Sequence, residues 1–276
     1  RRVLFRSFSF QYLPALFQFF FFFIYNGKIT DKFELGTSYS KSSSDGYKDG
    51  GDYKDENVDV KAKYSISDKQ DLTFKYHHFD GESDSATSKD KGDEYTSTYG
   101  YSVTDKLKFN LNTGYLSSET KSTNDFTEDK LSIKPKLSYD YPKGNVVIGY
   151  DYLDHDVNRT STSISYDINK LTNSAYIYNR YDTKKFQIST GYRYDKTELT
   201  YEQLSGTKPT FKTIYNENAY NLGLNYLYSE SGKVYFKTES GFTTPQPRHL
   251  IESDSSNNSV FSNVEPEEYI TFEVGA

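Results

Sequence analysis

The residues able to do chemistry are few in this chain, and their spacing does not bring them together. It has four histidines, His77, His78, His155 and His249, and neither cysteine nor methionine. His77 and His78 are adjacent in an alternating segment, so on a strand their imidazoles leave opposite faces and cannot share one metal ion. Without cysteine there is no thiolate ligand and no disulfide. No phosphate-cradling glycine loop, nucleophile elbow or paired metal motif is present. That leaves recognition. Arg248 and His249 stand side by side in a long polar connection, where a guanidinium can hold a carboxylate or phosphate. Arg193 lies between Tyr192 and Tyr194, with Asp195 two residues on, a pattern that reads first as an ion pair in a wall. Tyr47, Tyr53 and Tyr215 fall in connections, where they could touch an aromatic ligand. Asn158-Arg159-Thr160 spells a glycosylation sequon. The expectation is a protein with no catalytic residue, metal site or cofactor, whose ligand contacts are sought at Arg248, His249 and Arg193.

The elements that must carry these residues are strands. The chain has 276 residues, only 34% of them hydrophobic, yet 28 are Tyr and 20 are Phe. A soluble core of this size draws on more aliphatic bulk, and disordered chains are poor in aromatics. A sheet with one face in lipid needs an apolar band on that face alone, bordered by aromatic rings. The net charge of −6 excludes a general attraction to nucleic acid. Acidic residues gather in the connections, as in Asp49–Asp59 and Asp80–Glu94, and read as solvated loops.

Period-two alternation runs along the chain. Phe33, Leu35, Thr37 and Tyr39 open it. Val58 to Ile66 and Leu72 to Tyr76 flank a brief Ser67-Asp68-Lys69-Gln70 turn. Tyr95 to Val103 and Leu107 to Tyr115 flank Thr104-Asp105-Lys106. Leu131 to Tyr139 and Val146 to Tyr152 flank a Pro142-Lys143-Gly144-Asn145 turn, and Pro135 predicts a bulge or irregularity. Ser174–Tyr181 and Phe186 to Tyr194 flank Asp182-Thr183-Lys184. Tyr220 to Tyr228 is the clearest strand. Val234, Phe236 and Thr238 follow it, and Ile270, Phe272 and Val274 close the chain. Long connections are expected at about 41–56, 81–93, 117–129, 154–172, 196–217 and 243–267. Every second connection is short, as strands with a periplasmic and an outer side require.

The count is about twelve strands, or thirteen with Gln18–Tyr25. The expected fold is all-β, an incomplete antiparallel transmembrane barrel over residues 18–276. Residues 1–17 are read as a non-native leader, because RRVLFRS resembles translated adapter sequence. The ending at Gly275-Ala276 has no closing aromatic, so both ends are expected to be cut.

Three stretches resemble the barrel of TonB-dependent outer-membrane receptors. Phe186–Asp195 reads FQISTGYRYD, similar to that family's strand ending in Gly-x-Arg-Tyr-Asp. Ser240–Pro247 reads SGFTTPQP, like its Gly-Phe-x-x-Pro entry to an outer loop. Val264–Gly275 reads VEPEEYITFEVG, like the Pro-Glu then Tyr-Glu-x-Gly strand that follows. The chain departs from the pattern after Pro245, where Arg248-His249-Leu250 replaces a Leu-Tyr-like continuation. The amino-terminal plug and its TonB box are not in this sequence. The resemblance implies a barrel of about 22 strands in a Gram-negative outer membrane, among lipopolysaccharide. It implies uptake of a scarce small ligand, a ferric chelate or cobalamin, driven by TonB through the plug, without enzymatic chemistry. The alternatives are a passive porin or another large barrel such as a lipopolysaccharide exporter, a surface-exposed β-rich binding or adhesion protein, and, more distantly, an outer-membrane enzyme. Two open sheet edges predict that this chain, produced alone in plain buffer, aggregates. Size-exclusion chromatography checks this, and a monodisperse folded species would contradict it.

Overall fold

A computed structural model describes residues 11–13, 16–45, 51–83, 88–122, 124–161, 165–205, 210–245, 251–253, 259–261 and 264–276. The strands are β1 (Gln11–Leu13), β2 (Leu16–Lys28), β3 (Phe33–Ser44), β4 (Tyr53–Ser67), β5 (Gln70–Ser83) and β6 (Ser88–Ser102). They continue with β7 (Leu107–Lys121), β8 (Asp125–Tyr141), β9 (Gly144–Thr160), β10 (Tyr166–Asp182) and β11 (Phe186–Gln203). The last are β12 (Thr210–Leu227), β13 (Lys233–Thr243), β14 (Ile251–Ser253), β15 (Ser259–Phe261) and β16 (Glu267–Gly275). Each strand from β1 to β13 pairs with the next, and β13 pairs with β16, in one open sheet of 14 strands. The three-residue β1 set apart, thirteen strands remain, the number expected with Gln18–Tyr25 included. β14 and β15 pair only with each other. The fold is all-β and antiparallel, as expected.

The chain divides into two compact units. The first comprises Arg1–Gly100, Asn112–Ser132 and His155–Asp167. In it the apolar residues of β3, β4 and β5 align across the ladder: Leu35 opposite Ala62, Thr37 opposite Val60, Tyr64 opposite Leu72. The second comprises Tyr101–Leu111, Ile133–Asp154 and Ile168–Ala276. There Phe186 faces Tyr226, Ile188 faces Leu224, Thr190 faces Leu222 and Tyr192 faces Tyr220. Rings mark the two ends of this band, and aliphatics and a threonine fill its middle. The eight steps from Phe186 to Tyr194, the next ring on this face, rise about 20 Å along a tilted strand, close to the apolar height of a bilayer-spanning sheet.

The apolar face is left open. Ile148 is 53% exposed, Ile177 45% and Leu222 39%, whereas buried apolar side chains among the described residues are Ile168, Leu199, Tyr201 and Tyr215. A soluble domain does the reverse. Tyrosine hydroxyls on this face find partners on the next strand. Tyr76 donates to Asp93 (2.7 Å), Tyr115 to Asp129 (2.9 Å), Tyr194 to Asn216 (2.8 Å), and Tyr150 to Asn173. Each clasp joins the far part of one strand to its neighbour, away from the short turns.

Four of the turns share one local device. Thr104 Oγ1 accepts from the amides of Lys106 and Leu107, and Thr183 Oγ1 from those of Lys185 and Phe186. Thr30 and Ser67 do the same for Lys32 and Lys69. A hydroxyl that caps its own turn favours a tight reversal over continued strand.

Most of the connections expected to be long are mainly strand. The 154–172 stretch is β9 out to Thr160 and β10 from Tyr166, and 196–217 is β11 out to Gln203 and β12 from Thr210. The β11–β12 register is unbroken from Phe186 opposite Tyr226 to Glu202 opposite Thr210. Such strands, of 17 or 18 residues, exceed the span of a bilayer, so their outer parts stand in water. Alternation reports lipid contact, and it fades where both faces are wet although backbone pairing goes on. β8 continues through Pro135. A register shift occurs in the other unit, between Ser65 and Ser67.

The face assignment is checked by charge placement. In the protein folded into phospholipid vesicles, Leu222→Arg should cost about 2–4 kcal/mol and Asn225→Arg less than about 1 kcal/mol, read by urea titration.

Candidate functional site

The polar face carries the groups able to recognise a ligand, and backbone parity places them. Arg193 on β11 has the opposite parity to Tyr192 and Tyr194, so it joins Asp151 of β9 and Ser174 of β10. Its Nε donates to Asp195 (2.7 Å), one Nη to Asp151 (2.8 Å) and the other to Ser174 Oγ (2.7 Å). The guanidinium also lies 5.8 Å from the Tyr176 ring centroid. Asp195 and Ser174 are buried. Two carboxylates and a hydroxyl therefore engage this arginine. A recess of about 460 Å³ beside it is lined by Tyr176, Asn221, Glu239 and Tyr269 among others.

Tyrosines on this face lie across glycines of the preceding strand in the sheet. A Cβ at Gly149 would come within 2.2 Å of the Tyr176 ring, and one at Gly241 equally close to Tyr269, its register partner. These close approaches require glycine and keep the rings flat against the sheet.

Beyond the apolar band, β10, β11 and β12 hold a small buried patch. Thr197, Leu199, Tyr201 and Gln203 on β11 are covered, with Ile168 of β10 and Tyr215 and Glu217 of β12. Tyr215 donates to the carbonyl of Val264 (3.1 Å), and Lys170 to Thr244 Oγ1 (3.0 Å), so both feet of the β13–β16 connection are tied to this patch. Burial, with Glu268 nearby, pushes the Glu217 carboxyl up. Tyr215 and Tyr53, expected in loops, are strand residues: Tyr53 opens β4 and Tyr215 lies within β12. Tyr47, Arg248 and His249 lie outside the described residues.

His77 and His78, adjacent on β5, take different partners. His77 Nδ1 is 2.8 Å from Asp59, and His78 Nδ1 is 2.9 Å from Asp93. His155 Nε2 lies 2.8 Å from Glu128 Oε1 without hydrogen-bond alignment. Among the described residues no group of three metal-ligating side chains converges.

Arg159, read in the sequence only as part of a sequon, has a distinct setting. On β9 it shares the polar parity of His155. Its Nη2 donates to Asn124 Oδ1 (3.0 Å), and its guanidinium lies 5.7 Å from the Phe126 centroid and 5.6 Å from that of Tyr166. These rings come from the two strands flanking β9. No spacing rule finds this cluster, because its members lie on three strands.

An antiparallel sheet with an exposed apolar band, ring borders and a polar opposite face defines an integral β-sheet protein of the outer membrane. The family model "TonB dependent receptor-like, beta-barrel" matches residues 4–276, and the chain belongs to that family of Gram-negative outer-membrane transporters, which are not enzymes. No sequence among the curated proteins matches it. Solved structures similar in fold include the ferric citrate transporter FecA in its unliganded form, at 18% identity and TM-score 0.76, covering 94% of this chain and 46% of FecA. The ferric-catecholate import receptor Fiu from E. coli K12 in its closed form is 12% identical, with TM-score 0.77, covering 95% of this chain and 54% of Fiu. The copper transporter OprC is 11% identical, with TM-score 0.75, covering 94% and 49%. At these identities the likeness is one of fold. The chain spans about half the length of these proteins.

The Arg193 clamp is tested by truncation in the full-length protein. Arg193→Gln leaves Asp151 and Asp195 without their cation and should destabilise by about 2–3 kcal/mol. Adding Asp151→Asn should cost less than the sum of the two changes, measured as a double-mutant cycle by urea unfolding.

Proposed function

We propose that this chain is the barrel part of an outer-membrane receptor that takes up a scarce small ligand and draws energy from TonB through a plug domain. The observation that carries this reading is the pairing of a lipid-ready face with a polar face bearing recesses and strand ends that rise beyond the membrane. An adhesin needs no such inner face. The names of FecA and Fiu favour a ferric chelate as cargo, and that of OprC shows that the fold also serves copper. Cobalamin belongs to the same class of scarce ligand. Lipid and lipopolysaccharide surround the apolar face, and the ligand enters from the side of the long strand ends. Arg248 and His249, in the β13–β16 connection, are ligand-contact candidates within this proposal, and the bonding of Arg193 supports a wall role.

Uptake tests the reading. Deleting the gene in its own bacterium should slow growth under iron limitation and abolish accumulation of radiolabelled iron offered as a ferric chelate. A strain lacking TonB should show the same loss. Transport that persists without TonB would make the protein a passive pore.

A further inference from the structure

Arg159 stands out among the described arginines, Arg159, Arg180 and Arg193. Arg180 pairs with Asp182 at 2.8 Å, and Arg193 with Asp151 and Asp195. Arg159 makes no carboxylate pair among the described residues, in a chain with 39 acidic and 33 basic residues. Its charge is held instead by the Phe126 and Tyr166 rings and by one bond to Asn124. Its Nε is buried and has no hydrogen-bond partner. An aromatic face attracts a guanidinium without consuming its N–H groups. The rings therefore fix the fork by its face, and apart from the one bond to Asn124 they leave its Nη donors uncommitted.

We propose that Arg159, with Phe126, Tyr166 and Asn124, forms an oxyanion subsite on the polar face at the outer ends of β8, β9 and β10, taking a carboxylate or phosphate group of a ligand. A guanidinium matches two oxygens of either group, and charge-assisted bonds of this kind are the stronger ones. Asn124 turns the fork, and the rings shield it from bulk water. The subsite rests on the uptake reading only for its biological purpose.

The test uses the full-length protein in detergent micelles, titrated by calorimetry with citrate and, separately, inorganic phosphate, with sorbitol as the uncharged control. Saturable binding of at least one anion is expected, with none of sorbitol. Binding of citrate alone identifies a carboxylate site, and binding of phosphate alone a phosphate site. Arg159→Gln should weaken binding about tenfold or more, and Arg159→Lys should retain part of it by keeping the charge without the fork. Heat-modifiable gel mobility shows whether each variant is folded. If Arg159→Gln does not fold, Phe126→Leu decides: weaker binding supports the subsite and unchanged binding overturns it. Wild-type affinity in folded Arg159→Gln, or no saturable anion binding by the wild type, also overturns it. Anion binding that survives alongside TonB-independent uptake would refute the uptake reading and leave the subsite standing.

Discussion

Hydrocarbon offers no hydrogen bonds, so every amide and carbonyl that crosses it must be paired inside the protein. The long registers follow from this constraint. β2 pairs with β3, β3 with β4 and β4 with β5, and β11, β12, β13 and β16 continue one another without a crossover. Strand neighbours are sequence neighbours from β1 to β13, and four of the turns cap themselves through Thr30, Ser67, Thr104 and Thr183. The ladder is the scaffold on which each side chain is placed.

A ladder of this kind has two faces with opposite demands. One meets lipid and carries the leucines, isoleucines and rings that a soluble protein would bury. Its tyrosines bring a polar tip that must be satisfied near the interface, and Asp93, Asp129, Asn173 and Asn216 accept those hydroxyls from the neighbouring strand. The other face is free to be polar. There glycines such as Gly149 and Gly241 let rings lie against the backbone, and the small covered patch around Leu199, Tyr201 and Tyr215 forms only where strands pass beyond the membrane.

Two polar-face arginines, Arg159 and Arg193, show how one side chain serves different ends. Arg193 is engaged by two aspartates and a serine. Arg159 is positioned by two rings and one bond to Asn124, which leave its other Nη donors uncommitted. The difference lies in the partners: Asp195 on its own strand with Asp151 and Ser174 on other strands for Arg193, and rings from both flanking strands for Arg159.

Much of this was legible in the residues. Alternation from Val58 to Ile66 and from Tyr220 to Tyr228 reports one face in lipid, and the Ser/Thr-Asp-Lys turns mark the short connections. The adjacency of His77 and His78 already separates their imidazoles. The extent of the strands was not legible: beyond Tyr194 or Tyr152 both faces are wet, hydrophobic period is lost, and only backbone pairing continues. Nor was the candidate site. Arg159 meets Phe126 and Tyr166 because register brings 33 residues of separation on one side, and seven on the other, to a single spot. By itself the sequence determined the class of fold, the lipid face and the turns, since these depend on periodicity and local bonds. Only tertiary structure decided which polar side chains meet, because cross-strand register sets those distances and no single segment contains it.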